Sequence, residues 1–223
     1  MRMGTVRIFL LASVGSILFA ICNPSHAALY NRGGGLIYDD VQNITWLQDA
    51  NYGAGSSYDN GTVDYDGAMT WANAMAWADN LTYFDSLRNV TYSDWRLPQK
   101  LGADCIGWNC THSEMGYLYY FEFGRRGGDP NIQPNPTPFL NVLNAAYWTS
   151  TLFWPPDPND MRSWFFTMGT GGQGAWGQEH DLLVWAVRDG DVASASVPEP
   201  QSYRLILAGV LLLLGVRAFK QYA

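Results

Sequence analysis

Tryptophan marks out the part of this chain that can form a core. All ten tryptophans lie between Trp46 and Trp185, whereas each end of the 223-residue chain carries an apolar run without one. Large aromatic side chains bury much surface and are scarce in disordered segments. The middle of the chain is long enough for a single domain with its own core. We therefore expect one aromatic-rich folded domain between two ends that serve other purposes.

The amino-terminal end has the pattern of a secretory signal peptide. Two arginines precede an apolar run over residues 8–21, and small residues follow it. This order predicts a signal peptide over 1–27, with cleavage between Ala27 and Ala28. Lipidation of Cys22 is an alternative, which the bulky residue before it disfavours. A retained amino-terminal helix is disfavoured because about 20 apolar residues are needed to span a bilayer.

The carboxy-terminal end resembles a bacterial sorting tag. A linker over 192–200 contains an acid between two prolines, and an apolar segment and two cations follow it. The residues that carry this pattern are Pro198, Glu199, Pro200, Arg217 and Lys220. The order resembles the PEP-CTERM signal, which implies an exosortase-type processing enzyme as partner and a transmembrane segment with a basic tail over 201–223. We expect a bacterial protein of the cell surface or extracellular matrix, anchored in the membrane at least transiently. An ordinary membrane anchor without processing is the alternative.

The part of the chain between the two ends is strongly acidic. Without the predicted signal peptide and the segment over 201–223, the chain loses five of its 13 basic residues and none of its 20 acidic ones, which leaves eight basic residues and a formal charge of −12 for residues 28–200. Only one of the eight is a lysine, Lys100. Such a field repels nucleic acid and other anionic polymers. The charge therefore suits a neutral glycan, a cation or a basic partner.

Two cysteines remain in the exported part, Cys105 and Cys110. An even pair in an exported chain predicts a disulfide that closes the four-residue loop between them. A two-cysteine metal site is the alternative, although two further ligands are hard to identify.

The pattern of the middle favours an α+β fold. Asp66 is predicted to cap a helix over 67–81, and a second helix is predicted to begin at Ser113, with Glu114 in its first turn. Strands are expected both before and after these helices, over 35–39, 44–47, 146–150, 163–168 and 182–188. Two early helices followed by an antiparallel meander are typical of α+β rather than alternating α/β domains.

Five sequence blocks, in this order, resemble the Lcl C-terminal domain family. They are Ile44-Thr45-Trp46-Leu47-Gln48-Asp49-Ala50-Asn51, Asp94-Trp95-Arg96-Leu97-Pro98, Ser113-Glu114-Met115-Gly116, Tyr147-Trp148-Thr149-Ser150 and Trp185-Ala186-Val187-Arg188-Asp189-Gly190. The resemblance covers about Leu36 to Asp191. It implies a single extracellular domain over 28–191 with a C-type-lectin-like architecture and a role in recognition.

The resemblance also links some relatives to sulfated polysaccharides, but the charge of −12 disfavours such a ligand here. Within the blocks, Trp95, Trp148 and Trp185 are expected in the core. Arg96 and Arg188 are expected to pair with buried carboxylates, because a guanidinium satisfies several acceptors at once.

A site for a neutral glycan needs an exposed aromatic platform and polar groups for the hydroxyls. Trp108 in the cysteine loop, Trp154 and Trp176 lie in loop-like contexts and are candidate platforms. Gln133 and Asn135 flank a proline, as in the sugar-binding motif of calcium-dependent lectins. A packing role is the alternative for each tryptophan.

Calcium binding is a second hypothesis. Four oxygen-bearing side chains cluster within eight residues, namely Asp59, Asn60, Asp64 and Asp66. Hard oxygen ligands at short spacing suit Ca²⁺, although the glycine and distal glutamate of an EF-hand are missing. A solvated acidic turn is the alternative.

No catalytic pattern stands out. After signal cleavage only His112 and His180 remain, and neither a nucleophile elbow nor a His-Glu-x-x-His motif occurs. We predict a non-catalytic surface or matrix protein that binds extracellular polysaccharide. A structural matrix protein without a small ligand is the alternative. An extracellular hydrolase, which needs only two carboxylates, is the third hypothesis.

Overall fold

The computed structural model describes residues 29–61, 63, 66–129, 138–154 and 159–192. Several residues of the predictions above lie outside these ranges: Ala27, Ala28, Asp64, Gln133, Asn135, Pro198, Glu199, Pro200, Arg217 and Lys220. None of the helices in the described residues combines the length and apolar character needed to cross a bilayer.

The described residues form eleven strands and two helices. The strands are β1 Leu29–Gly33, β2 Leu36–Asp39, β3 Ile44–Leu47, β4 Ala68–Met69, β5 Tyr83–Asp85, β6 Val90–Tyr92, β7 Ala146–Leu152, β8 Arg162–Thr167, β9 Gly172–Gly177, β10 Leu182–Leu183 and β11 Val187–Asp189. The helices are α1 Trp71–Asn80 and α2 Glu114–Tyr117, and α2 continues into a π-helical turn over Leu118–Glu122. The predicted α+β class, with early helices and late strands in a single domain, is confirmed.

The strands form two larger sheets and one hairpin. The first sheet has the order β1-β2-β3-β11 and is antiparallel throughout, so that the end of the domain pairs with its beginning. The second has the order β4-β10-β7-β8-β9. Its β7, β8 and β9 form an antiparallel meander, in which β9 takes the third place that the prediction gave to 182–188, and only β10 and β7 run parallel. The hairpin pairs β5 with β6.

Strand pairing corrects two predictions. Asp66 does not cap α1, because Ala68 and Met69 pair with β10 and delay the helix, whose N-cap is Thr70. The Asp66 carboxylate instead accepts a hydrogen bond from the backbone N–H of Ala68, at 2.8 Å. The strand predicted over 182–188 is divided into β10 and β11, which lie in different sheets.

The second helix begins as predicted. The Ser113 side chain accepts a hydrogen bond from the backbone N–H of Gly116 at 3.0 Å, which satisfies one of the free donors at the helix start. Met115, Leu118 and Tyr119 on this helix and its π-helical continuation are buried.

Aromatic side chains fill the core, as the tryptophan distribution predicted. The rings of Trp46 and Phe139 each lie 4.9 Å from that of Trp185, measured between centroids. The indole N–H groups of Trp185 and Trp148 donate to the backbone, to the carbonyls of Leu47 at 2.7 Å and Met69 at 2.9 Å. Trp95, Trp148 and Trp185 are buried. Their predicted place in the core is confirmed.

A buried ion pair joins distant parts of the domain. Both terminal nitrogens of Arg96 donate to the buried carboxylate of Glu114, at 2.8 and 2.7 Å, and the backbone N–H of Gln99 donates to the same group. Arg96 also contacts Asp189 at 2.6 Å, and its backbone pairs with Val187. The predicted role of Arg96 is therefore confirmed.

Arg188 differs from the expectation. Its guanidinium pairs with Asp94, which is exposed rather than buried, and lies 4.4 Å from the Tyr92 ring centroid. The hydrogen bond from Arg188 lowers the pKa of Asp94.

Replacing Arg96 by alanine should lower the free energy of unfolding by about 3–5 kcal/mol, because Glu114 would keep a buried charge without its partner. Arg188→Ala is the matched control, for which we expect about 1 kcal/mol because Asp94 is exposed. Urea unfolding measures both losses. Equal losses in the two variants would contradict the role assigned to the buried pair.

Glu122, at the end of the π-helical turn, should make stability depend on pH. Burial, together with the nearby charges of Asp39 and Asp40, raises the pKa of Glu122 from 4.5 to about 7. Between these values the folded chain holds a proton that the unfolded chain releases, so stability falls as the pH rises from 4.5 to 7.

At pH 8, Glu122→Gln should therefore be more stable than the unmodified protein by about 1 kcal/mol, a value reduced for solvent screening of the exposed part of the carboxylate. At pH 4 the two should be alike. Thermal unfolding across this range tests the difference, and Asp79→Asn, at an exposed position of α1, is the control. A stability gap that does not change with pH would refute the prediction.

Candidate functional site

One face of the five-stranded sheet carries exposed aromatic side chains. Directly paired residues on neighbouring strands point to the same face of a sheet. The register across β7, β8 and β9 places three rows on this face: Leu152, Ser163 and Trp176; Trp148, Phe165 and Gly174; and Ala146, Thr167 and Gly172. The core covers this face at Trp148 on β7, whereas the face is exposed at Trp176 on β9. We call the part of this face formed by Phe165, Gly172, Gly174 and Trp176, together with Trp108 beside it, the β9 face.

Trp176 lies on a strand, which corrects its predicted loop position. The four glycines between Gly171 and Gly177 are typical of a turn, but the segment from Gly172 pairs with β8 over its whole length. The Trp176 side chain is 45% exposed and stacks on the His180 ring, with centroids 4.6 Å apart. Phe165 packs against it at 5.9 Å. Its indole N–H has no hydrogen-bond partner in the described residues.

The cysteine loop is attached to the outer edge of β9. Cys105 and Cys110 form the predicted disulfide. Gly107 and Gln173 exchange two backbone hydrogen bonds of 2.8 Å, and the Gln173 side chain donates to the carbonyl of Cys105 at 3.0 Å. The backbone N–H of Asn109 donates to the Tyr120 hydroxyl at 2.7 Å. The loop is thus held at both ends and in the middle.

This attachment places Trp108 on the β9 face. Its side chain is 60% exposed, and its ring packs over Gly127, Gly128 and Gly172. A Cβ atom at Gly127 would lie 2.6 Å from that of Trp108, so the ring needs glycine beneath it. Gly172 and Trp176 are four residues apart on one strand. The two tryptophans are therefore separated by about 13 Å along the face, at roughly 3.3 Å per residue.

Trp154 is not brought into this face by any ring contact in the described residues. It follows β7, is 73% exposed and lies two residues beyond Leu152. Of the three candidate platforms, the structure therefore brings together Trp108 and Trp176.

Asp59 and Asp66, the described aspartates of the acidic segment, accept hydrogen bonds from the backbone of their own loop. One oxygen of Asp59 accepts hydrogen bonds from the backbone N–H groups of Gly55 at 2.7 Å and Gly67 at 3.1 Å, while Asn60 is exposed. The other Asp59 oxygen is buried without a partner in the described residues. No group of three or more His, Cys, Asp or Glu residues suited to a metal occurs among the described residues. Asp59 and Asp66 stabilise the backbone of their loop.

A cleft that no sequence motif identified lies at the end of the first sheet. It measures about 230 Å³ and is lined by Gly35, Leu47, Gln48, Asp49, Tyr52, Tyr83 and Leu140. Gln48 and Asp49 belong to the first family block, but nothing in the block relates them to Tyr83 or Leu140. Only the fold brings these residues together.

The cysteine loop allows a direct test of how Trp108 is held. Replacing both Cys105 and Cys110 by alanine should lower the free energy of unfolding by about 2 kcal/mol, the value expected for a short closed loop. The amides of Gly107 and Gln173 should then exchange hydrogen faster, because the loop separates more readily from β9. As a control, hydrogen exchange of the unmodified protein is measured with and without a reducing agent. Unchanged exchange at both amides would show that the disulfide does not hold the loop.

The comparisons with known proteins agree with the order of the sequence blocks. The chain matches no curated protein. The model of the Lcl C-terminal domain matches residues 35–188, more than half of the chain, and includes both Trp108 and Trp176. The chain belongs to the Lcl C-terminal domain family.

Proposed function

We propose that this protein is a non-catalytic, exported recognition protein that binds an extracellular polysaccharide along the β9 face. The observation that carries the proposal is the pair of exposed indoles, Trp108 and Trp176, on one face of one strand. Rigid aromatic side chains supply a large contact area at a low entropic cost, and sugar rings offer apolar faces to stack on them. Gly172 and Gly174 leave room between the two rings.

The way Trp108 is held supports a binding role. A disulfide, a pair of backbone hydrogen bonds and the Asn109–Tyr120 contact fix the loop, although its tryptophan buries less than half of its own surface. Fixing a loop in advance reduces the entropy lost on binding. An exposed tryptophan that served only to anchor its loop would be expected to bury more.

Charge favours an uncharged or cationic glycan over a sulfated one. Six of the eight basic residues of the domain form ion pairs within the described residues, namely Arg32, Arg88, Arg96, Lys100, Arg162 and Arg188. A sulfated chain would be repelled by this strongly acidic domain, because most of the basic side chains that could bind sulfate already form ion pairs. The single lysine, Lys100, already contacts Asp104 at 2.6 Å.

The two ends suggest where this binding takes place. The signal peptide and the PEP-CTERM-like tail support export and display at the cell surface or in the extracellular matrix, with an exosortase-type enzyme as processing partner. A structural matrix protein without a small ligand is the second candidate, since an apolar sheet face also suits packing against another protein.

A glycan array with the full-length chain, with and without calcium, tests the proposal. The affinity for the best neutral oligosaccharide should fall about tenfold in Trp108→Ala and in Trp176→Ala, as for a tryptophan at the centre of an interface. Phe84→Ala is the control: this exposed aromatic residue lies on the β5–β6 hairpin, outside the five-stranded sheet, and its loss should leave the affinity unchanged.

Three outcomes would count against the proposal. Unchanged glycan affinity in both Trp108→Ala and Trp176→Ala would show that the β9 face does not bind the glycan. The absence of any glycan binding would favour the structural matrix protein. Shortened oligosaccharide products after incubation would instead support a hydrolase. If glycan binding is lost only when calcium is removed, the binding site on the β9 face also requires a metal ion.

A further inference from the structure

The cleft beside Tyr52 is a second site of well-defined chemistry. Its floor is the end of β3, and its side is a segment that runs parallel to it. The backbone N–H of Ala50 donates to the carbonyl of Leu140 at 2.9 Å, and that of Leu140 donates to the carbonyl of Gln48 at 2.8 Å. At about 230 Å³ the cleft is smaller than the roughly 300–1,000 Å³ of pockets for drug-sized ligands. The cleft therefore has room for only a small ligand or for one small part of a larger ligand.

The charged group in this cleft is an acceptor, the Asp49 carboxylate. One oxygen of Asp49 accepts hydrogen bonds from the backbone N–H of Asn51 at 2.9 Å and the Asn141 amide at 3.0 Å. The other oxygen has no partner within the described residues. The Gln48 amide nitrogen is used by the carbonyl of Pro138 at 2.7 Å, which leaves its oxygen available. A ligand that donates hydrogen bonds can therefore satisfy both the free Asp49 oxygen and the Gln48 oxygen.

The charge of Asp49 is not neutralised by any basic side chain in the described residues. No Arg, Lys or His lines the cleft, and the two donors to Asp49 are neutral amides. This distinguishes Asp49 from Asp85 and Glu114, which pair with Arg88 and Arg96. A cation is the ligand that completes such a site.

Two tyrosines form the aromatic side of the cleft. The rings of Tyr52 and Tyr83 meet edge to face with centroids 5.6 Å apart, and Tyr52 is 44% exposed. The Tyr83 hydroxyl donates to the carbonyl of Gly34 at 2.7 Å. It occupies the place that a side chain at Gly35 would need, since a Cβ there would lie 2.1 Å from it. Burial raises the pKa of Tyr83, so its ring stays neutral. A fixed aromatic ring beside a carboxylate favours an ammonium group.

We propose that this cleft binds the protonated amino group of a sugar, with the Asp49 carboxylate as its counter-ion and Gln48 as acceptor for a neighbouring hydroxyl. An amino sugar presents an ammonium group and hydroxyl donors side by side, whereas a lysine side chain carries only methylene groups next to its ammonium. The two acceptors therefore favour the sugar. The inference rests on the proposed function and narrows the polysaccharide to one with free amino groups.

Calorimetry with the full-length chain tests the site. The probes are β-1,4-linked glucosamine oligomers, their fully N-acetylated counterparts of the same length and a lysine-containing peptide. Asp49→Asn keeps the shape and the acceptor of the side chain but removes its charge. It should weaken binding of the glucosamine oligomer at least tenfold and leave the acetylated oligomer unaffected. Tyr52→Leu should weaken the same ligand. Asp79→Asn, at an exposed position of α1, should change nothing.

The outcomes separate this inference from the proposed function. Equal binding of the glucosamine oligomer by Asp49→Asn and the unmodified protein, with unchanged thermal stability, would overturn the cleft site. The proposed role of the β9 face would still be supported if Trp108→Ala lowered the affinity for the acetylated oligomer. Tighter binding of the lysine peptide than of the sugar would overturn the choice of ligand. Sensitivity to Asp49→Asn with no effect of Trp108→Ala or Trp176→Ala would support the cleft and contradict the β9 face.

Discussion

The ion pair between Arg96 and Glu114 is the interaction on which the rest of the structure depends. Glu114 begins α2 and is buried, so its charge requires a partner at close range. Arg96 supplies that partner and at the same time forms a backbone bridge to Val187 on β11. Because β11 also pairs with β3, this one contact ties the middle and the end of the domain to its beginning.

The two candidate sites lie where this framework leaves edges uncovered. Beyond Gln99, whose N–H donates to Glu114, the chain extends to the free edge of β9, where the cysteine loop attaches through Gly107. At the other sheet, the end of β3 meets the segment at Leu140 and forms the Asp49 cleft. A rigid scaffold thus presents one aromatic face and one acidic cleft, both suited to ligands that are not anionic.

The sequence predicted features that depend on neighbours along the chain. Ser113 caps its helix, Cys105 and Cys110 join across four residues, and Trp148 and Trp185 lie in the core. It failed where pairing with a distant strand decides the local conformation. The glycines around Trp176 are typical of a turn, yet β8 holds them in a strand. The cleft was missed for the same reason, since Asp49, Tyr83 and Leu140 meet only after folding.

In the proposed complex, an extended glycan lies across Trp108 and Trp176. A crystal structure of the protein with the best-binding neutral oligosaccharide tests this claim most directly. We predict sugar rings stacked on both indoles, with the chain passing over Gly172 and Gly174. An oligosaccharide bound elsewhere on the domain, with both indoles still open to solvent, would contradict it.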